Sequence, residues 1–330
     1  MPYITHTIEP WMPAGALKAK EDIAKIGESV GWQRLSIERY NDARFSAEIR
    51  HQKIHTFLDK VGKNDIVVHQ FPTYMSQAFE QDFQRAIQQR EAKYVLLIHD
   101  FEPLRVSREH AWEWELAQCA DLIIAHSQPM ASTLQQHGVT TPMETIQLFD
   151  YLGPTPALNP IFKKEINYAG TWQKAPWLQH YQGPKLNLFG SRPKRWKDLV
   201  LPKSINWVGS FDPEEITTAF SSGFGLLWDS DYEDKFFQSY TKVNAPHKAS
   251  LYLKAGLPLI AWSQSYLGDI VRANQLGMTI DNLSDLTKLV GVVRPADYLT
   301  FQENSRLFQK RISEGYFTKE VLEKVLHYFR

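Results

Sequence analysis

The chain has 330 residues and is 43% hydrophobic, enough for two domains with sizeable cores and too apolar for a disordered chain. Lys plus Arg equals Asp plus Glu at 37 each, so no global basic field favours nucleic acid. The single cysteine, Cys119, excludes an internal disulfide and a cysteine-based zinc site, and its context WELAQCADLII predicts a small, buried apolar role.

The opening MPYITHTIEPWMP has neither the basic region nor the apolar run of a signal peptide, and no apolar run approaches the ~20 residues of a membrane helix. A soluble, cytoplasmic protein is expected. Pro2 to Thr7 predicts a first strand, followed by a loop with Pro10, Pro13 and Gly15. Ala19, Ile23, Ile26 and Val30 share one face of a helix over Ala16 to Ser29, stopped by Gly31. Arg34 to Ile37 predicts a strand. Ile54, Phe57, Leu58 and Val61 recur at helical spacing. Then follow a strand at Ile66 to His69, a helix marked by Phe79, Phe83 and Ile87, and strands at Tyr94 to Ile98 and Leu122 to Ala125. A helix at Met130 to His137 and a strand at Glu144 to Leu148 complete the first half. Strands alternating with helices predict a parallel sheet covered on both faces.

Phe149 to Pro160, FDYLGPTPALNP, breaks this rhythm and predicts an interdomain linker. The alternation restarts with strands at Ile166 to Ala169, Lys185 to Phe189, Ile205 to Val208, Gly225 to Trp228 and Leu259 to Ala261. From about Asp297 to Arg330 the pattern is helical.

Ligands of open α/β sheets bind beyond the carboxyl ends of the strands. Gln70 to Tyr74 follows the strand IVVH, and His99 to Pro103 follows VLLI, so these loops are expected side by side. Asp100 suits a general base that takes a proton from an acceptor hydroxyl, with Glu102 as the reserve carboxylate. A turn-capping Asp100 and a satisfied core His99 are the structural alternative. In Ser222 to Trp262 the order is strand, polar loop, helix, tight turn, strand. Asn244 is expected to cap the helix, with Pro246 in its first turn and Gly256 and Pro258 ending it. Its positive end carries His247 and Lys248, which suit a phosphate or diphosphate; an ordinary helix start with a solvated lysine is the alternative. The run Asp229, Asp231, Glu233, Asp234 reads as an exposed loop with like-charge strain, a loop ordered by a ligand, or a cation site. Ser191 to Lys197, SRPKRWK, reads as a solvated positive turn. Trp11, Tyr74, Trp172, Trp177 and Trp196 lie in loop contexts that suit sugar faces and bases, or interfaces. Dinucleotide, P-loop, nucleophile-elbow and metal-cluster patterns are absent.

Six pieces stand in order along the chain: FPTY at 71–74, VLLIHDFEPLR at 95–105, AHSQPM at 125–130, GFGLLW at 223–228, HKASLYLKAGLPLIA at 247–261 and EGYFTKEVL at 314–322. Together they resemble the accessory glucosyltransferases that extend glycans on serine-rich-repeat adhesins of Gram-positive bacteria, and the related bacterial β-1,6-galactofuranosyltransferases. The resemblance implies an α/β GT-B fold, two Rossmann-like parallel-sheet domains facing a cleft. The acceptor domain would span 1–150 and the nucleotide-sugar donor domain 151–311, with the terminal helix, about 312–330, crossing back onto the first.

The resemblance further implies a UDP-sugar donor, a sugar acceptor, no metal and no other cofactor. His99, Asp100, Pro103 and Leu104 match the family's HD-x-x-PL motif. The loop from Glu9 to Ala16, including Gly15, falls on the acceptor side, with Thr73 and Tyr74. Lys174 stands where an arginine contacts the donor phosphates; lysine keeps the charge without the bidentate fork. Phe211 falls near an aromatic that stacks on the uracil. Lys248 matches the donor-phosphate lysine, with Asn244, Ala245 and His247 around it. The expected function is inverting transfer of a hexose, glucose, from a UDP-sugar to a hydroxyl of GlcNAc on an adhesin, by a cytoplasmic homo-oligomer, dimer or tetramer. A galactofuranosyltransferase of cell-surface polysaccharide and a catalytically silent nucleotide-sugar-binding subunit are the alternatives.

Overall fold

A computed structural model describes residues 1–9, 14–106, 110–170 and 172–330. The chain forms two units, Met1–Gln147 with Phe317–Arg330, and Leu148–Tyr316. In the first unit six strands form a parallel sheet. They are β1 (Pro2–Ile8), β2 (Gln33–Glu38), β3 (Ile66–Phe71), β4 (Lys93–Ile98), β5 (Leu122–Ala125) and β6 (Met143–Thr145), in the order β2-β1-β3-β4-β5-β6. Val67, Val68, Leu96, Leu97, Ile123 and Ile124 are fully buried, because helices cover both faces of a parallel sheet and leave no polar side. The helix Gln77–Gln89 places Phe79, Phe83 and Ile87 on one buried face, and the Ser76 side chain caps its start.

The second unit holds β7 (Ile161–Ala169), β8 (Leu186–Phe189), β9 (Ile205–Gly209), β10 (Ser222–Leu227), β11 (Leu259–Trp262) and β12 (Gly277–Ile280). Their order is β12-β11-β10-β7-β8-β9, again parallel. Gly225 has a direct consequence for the site. Any Cβ there would collide with the ring of Tyr252, so glycine lets the helix His247–Lys254 lie flat on β10. The Tyr252 hydroxyl then accepts a hydrogen bond from Ala169 N at 2.7 Å and ties that helix to the end of β7.

Several expectations change. The helical tail is two helices, Pro295–Ser313 and Tyr316–Tyr328, so the stretch from 312 to 330 is not one element; Phe317–Arg330 groups with the first unit. The stretch Phe149–Pro160 falls within the second unit. Phe149, Asp150 and Tyr151 are buried; the Phe149 carbonyl accepts from Ser250 Oγ, and the Tyr151 hydroxyl donates to Pro213 O at 2.7 Å. Cys119 is exposed rather than buried, because it ends the helix Ala111–Gln118 past its apolar face, and its carbonyl accepts from Gln88 Nε2 at 3.0 Å. Among the described residues no helix is long and apolar enough to cross a membrane.

Candidate active site

The carboxyl edge of the first sheet collects bonded polar side chains. Asp100, two residues past β4, accepts at Oδ2 from the Tyr74 hydroxyl at 2.7 Å and pairs there with Arg105 Nη1 at 2.9 Å. Arg105 also pairs with Glu102, the first residue of the short helix Glu102–Arg105. Burial works against the guanidinium charge, but two flanking carboxylates hold Arg105 more firmly protonated than usual. Tyr74 sits at φ +61, a left-handed conformation uncommon for a bulky residue. Its carbonyl accepts from Arg39 at 2.6 Å, and Lys20 Nζ lies 4.8 Å from its ring centroid. The residue is 37% exposed.

Thr73 does not face outward. It is fully buried, and its N and Oγ1 both donate to Glu80 Oε1, at 2.7 and 2.6 Å, so it anchors the loop instead of offering a hydroxyl to an acceptor. His99, half-buried, bonds Gln70 at 2.9 Å, while Gln70 reaches the Thr5 carbonyl at 2.6 Å. Lys20 is buried, donates to the Pro72 carbonyl, and burial pushes its pKa down to about 8. Glu113 is also buried; its carboxyl accepts from Glu102 N at 2.9 Å and burial pushes its pKa up to about 8. Gly15 is exposed in the first turn of the helix Ala14–Ser29. Residues 10–13 of the preceding loop, Trp11 included, lie outside the described residues.

The carboxyl edge of the second sheet is marked by glycines. The neighbouring strands β7, β8 and β9 run into Gly170, Gly190 and Gly209, all at positive φ. At Gly190 a Cβ would stand 2.7 Å from the Gly170 carbonyl oxygen, so only glycine lets the two chain ends pass this closely. Lys248, the second residue of its helix, packs its stem against Gly170, within 3.6 Å of where a Cβ would stand. Its ammonium donates to Asp229 Oδ1 at 2.7 Å and to the Tyr168 hydroxyl at 3.2 Å, and lies 4.6 Å from the Tyr168 ring centroid. The lysine is therefore not simply solvated. Trp228, Asp229, Thr241, Pro246, Lys248 and Ser265 line a pocket at the ends of β10 and β11.

The remaining donor-side expectations divide. Asn244 does not cap the helix. Its backbone N closes the preceding turn onto Tyr240 O at 3.0 Å, Pro246 directly precedes the first helical residue, and Asn244 Oδ1 is buried without a hydrogen-bond partner among the described residues. Ala245 is buried. His247 is committed to the interior of its own unit: its Nε2 donates to Asp150 O at 2.9 Å and its ring stacks on Tyr151 at 4.8 Å. Lys174 places its ammonium 5.1 Å from the Phe237 ring centroid, in the turn Trp172–Lys174 after β7. Phe211 lies past β9, 36% exposed, with its ring 5.8 Å from Phe189. Neither Lys174 nor Phe211 lines the pocket at Lys248.

The acidic run divides, with Asp229 turned inward while Asp231 and Glu233 stay exposed, Glu233 at φ +53. Asp229 is buried as the counter-ion of Lys248, and Asp231 accepts from Gln238 N at 2.7 Å and Ser239 Oγ at 2.8 Å. Among the described residues no group of three or more His, Cys, Asp or Glu is arranged to hold a metal. Arg192, expected in a solvated turn, sits 5.9 Å from the ring centroids of both Trp172 and Trp207, and Trp172 is fully buried and not a loop aromatic for sugars. The pairing of Asp229 with Lys248 and the role of Tyr168 escaped the sequence. The glycine edge left a signal: each of the strands predicted at 166–169, 185–189 and 205–208 is followed at once by Gly.

Two family models match the chain, "Glucosyltransferase 3-like, N-terminal domain" over residues 1–148 and "Glucosyltransferase 3-like, C-terminal domain" over residues 166–325. Glucosyltransferase 3 of Streptococcus gordonii is 27% identical over 312 residues, 93% of this chain and 92% of its own. The β-1,6-galactofuranosyltransferase WbbI of Escherichia coli K12 is 28% identical over 284 residues, 83% of each chain. Among solved structures, Anabaena HepE in complex with UDP and glucose has a TM-score of 0.65 at 13% identity, covering 98% of this chain and 99% of its own. An α-glucosyltransferase (AGT) in complex with UDP has a TM-score of 0.63 at 12% identity, covering 99% and 100%. At such identities the likeness shows the fold, which is GT-B.

Proposed function

Because this chain belongs to the glucosyltransferase 3-like family and is a UDP-sugar-dependent glycosyltransferase, we propose that it moves glucose from UDP-glucose to a hydroxyl of GlcNAc on an adhesin glycan, with inversion and without a metal ion. The observation that carries the donor half is Lys248 at a helix start, its stem packed on Gly170. Helix N–H groups and a lysine ammonium stabilise the charge that develops on a departing diphosphate, which is the task a metal performs elsewhere. Lys174 adds positive charge on the loop after β7, and Phe211 offers a face to the uracil. On the first sheet, Asp100 takes the acceptor hydroxyl proton as that oxygen attacks the anomeric carbon. Tyr74 and Arg105 fix the carboxylate for this task, both on Oδ2. A single displacement from the face opposite the diphosphate inverts the anomeric centre.

Glucose follows the streptococcal relative's name, and the adhesin acceptor follows the sequence resemblance. The 28% identity to WbbI supports galactofuranose as the second reading. The deciding assay offers UDP-glucose, UDP-galactose, UDP-GlcNAc and UDP-galactofuranose with a GlcNAc acceptor, with and without EDTA. UDP release and the anomeric configuration of the product are measured. A β-glucoside formed in EDTA is expected. An α-product removes the inverting mechanism, activity lost in EDTA removes metal independence, and transfer from UDP-galactofuranose alone favours the second reading.

A further inference from the structure

Lys248 does not wait as an unpaired cation. Its ammonium meets Asp229 at 2.7 Å, and that carboxylate is only 8% exposed at the end of β10. Yet the lysine has other means of staying in place. Its stem packs on Gly170, its Nζ reaches the Tyr168 hydroxyl at 3.2 Å, and the Tyr168 ring lies beneath the charge at 4.6 Å. Its backbone is part of the helix that Tyr252 ties to β7. Asp229 therefore contributes a negative charge more than a mechanical restraint. In a pocket where water screens poorly, that charge repels any anion seated at Lys248.

Resting on the reading that the donor diphosphate binds beside Lys248, we propose that Asp229 is a resident counter-anion that the diphosphate must displace from Lys248. The ammonium passes between carboxylate and diphosphate as donor enters and UDP leaves. UDP is then held less tightly than an unpaired lysine would hold it, and Asp229 speeds release by recapturing Lys248. Asp229 acts through Lys248 as a positioning residue. Among the described residues its Oδ2 has no partner, so Lys248 and Tyr168, both on Oδ1, are the groups it engages.

The test is a titration of UDP into the whole protein and three variants: Asp229→Asn, Lys248→Gln and the double variant. Asp229→Asn keeps the size and the Oδ1 acceptor while removing the charge. It is expected to bind UDP about ten- to a hundredfold more tightly and to turn over more slowly, with kcat and donor KM falling together. The gain is expected to vanish in the Lys248→Gln background. Should Asp229→Asn fail to fold, Asp229→Ser removes the same charge and is read the same way. If the native protein binds UDP and the charge-removing variant binds it equally or more weakly, the counter-anion is overturned while the donor site stands. A gain that persists in the Lys248→Gln background overturns it too, because Asp229 would then act on UDP without the lysine. A native protein that does not bind UDP at all overturns the donor reading and this inference with it.

Discussion

The carboxyl edges of the two sheets are made of opposite materials. On the first, side chains dominate and are bonded to one another: Asp100 to Tyr74 and Arg105, Arg105 to Glu102, Lys20 to the Pro72 carbonyl, Gln70 to His99. On the second, Gly170, Gly190 and Gly209 end three neighbouring strands, and Lys248, paired with Asp229, packs its stem on Gly170. A mutually bonded set of side chains has one geometry, which suits fixing a neutral hydroxyl and removing a single proton. A glycine edge lets a neighbouring group come close to the backbone, because no Cβ stands in the way, although Gly170 N and Gly190 N are themselves bonded to Phe189 O and Gly209 O. One edge is fixed by bonded side chains and the other is shaped by glycines.

That contrast breaks most visibly at Asp100. Asp100→Asn keeps the shape and the Tyr74 contact but cannot accept a proton. Turnover is expected to fall by ~10²–10⁴, about 3–5 kcal/mol of barrier, with UDP affinity by calorimetry unchanged. A variant that transfers sugar near the native rate assigns the base elsewhere, and Glu102→Gln is then the variant to measure.

The sealed character of the first edge is sharpened by Glu113. Its pKa in the folded protein, about 8, lies above the ordinary 4.5, so the folded state keeps a proton that the unfolded chain gives up. Stability from this group is full below about pH 4.5 and is lost as pH rises towards about 8. Between pH 5 and pH 8 the native protein is expected to lose roughly 2–4 kcal/mol more than Glu113→Gln in urea unfolding. Parallel stability curves would mean that Glu113 ionises without penalty.

On the second edge, Lys248→Gln is the next largest change. It leaves Asp229 a hydrogen-bond donor and so avoids a buried, wholly unpaired carboxylate. The lost charge is expected to weaken UDP binding by about ten- to a hundredfold, roughly 1.5–3 kcal/mol. Unchanged affinity would take Lys248 out of the donor site.

Much of this was legible because a parallel strand buried on both faces reads as an unbroken apolar run, as IVVH, VLLI and LIIA do. GMTI, which forms β12, has no such run, since an edge strand keeps Gly277, Met278 and Thr279 only half-buried. Lys248 and Asp100 stand where the sequence put them, at a helix start and just past a strand end, because both kinds of terminus have a local signature. The partner of Lys248 was not legible. Four carboxylates follow β10 within six positions, and nothing local says that Asp229 alone turns inward to Tyr168 and Lys248. Thr73 and His247 teach the complementary lesson. Both stand inside matched stretches, yet both spend their polar atoms on scaffold, at Glu80 and Asp150. A motif marks a place in the fold without saying which of its side chains face outward.

The smallest expected effect separates the two parts of the donor from one another. Phe211 is 36% exposed and touches the core through Phe189, 5.8 Å away, so truncating it leaves the sheet edge standing. If its face carries the uracil, Phe211→Ala removes a stacking contact worth about 1–2 kcal/mol, towards the lower end for a base on an aromatic because one side of the ring stays wet. UDP affinity is then expected to fall about five- to thirtyfold, while affinity for pyrophosphate, which lacks a base, stays constant. Lys248→Gln is expected to weaken both ligands alike. The crossed pattern is the informative one, because a general loosening of the edge cannot spare pyrophosphate. Equal losses for both ligands in Phe211→Ala would make the ring a support for the glycine edge, and no loss for either would put the uracil on another surface.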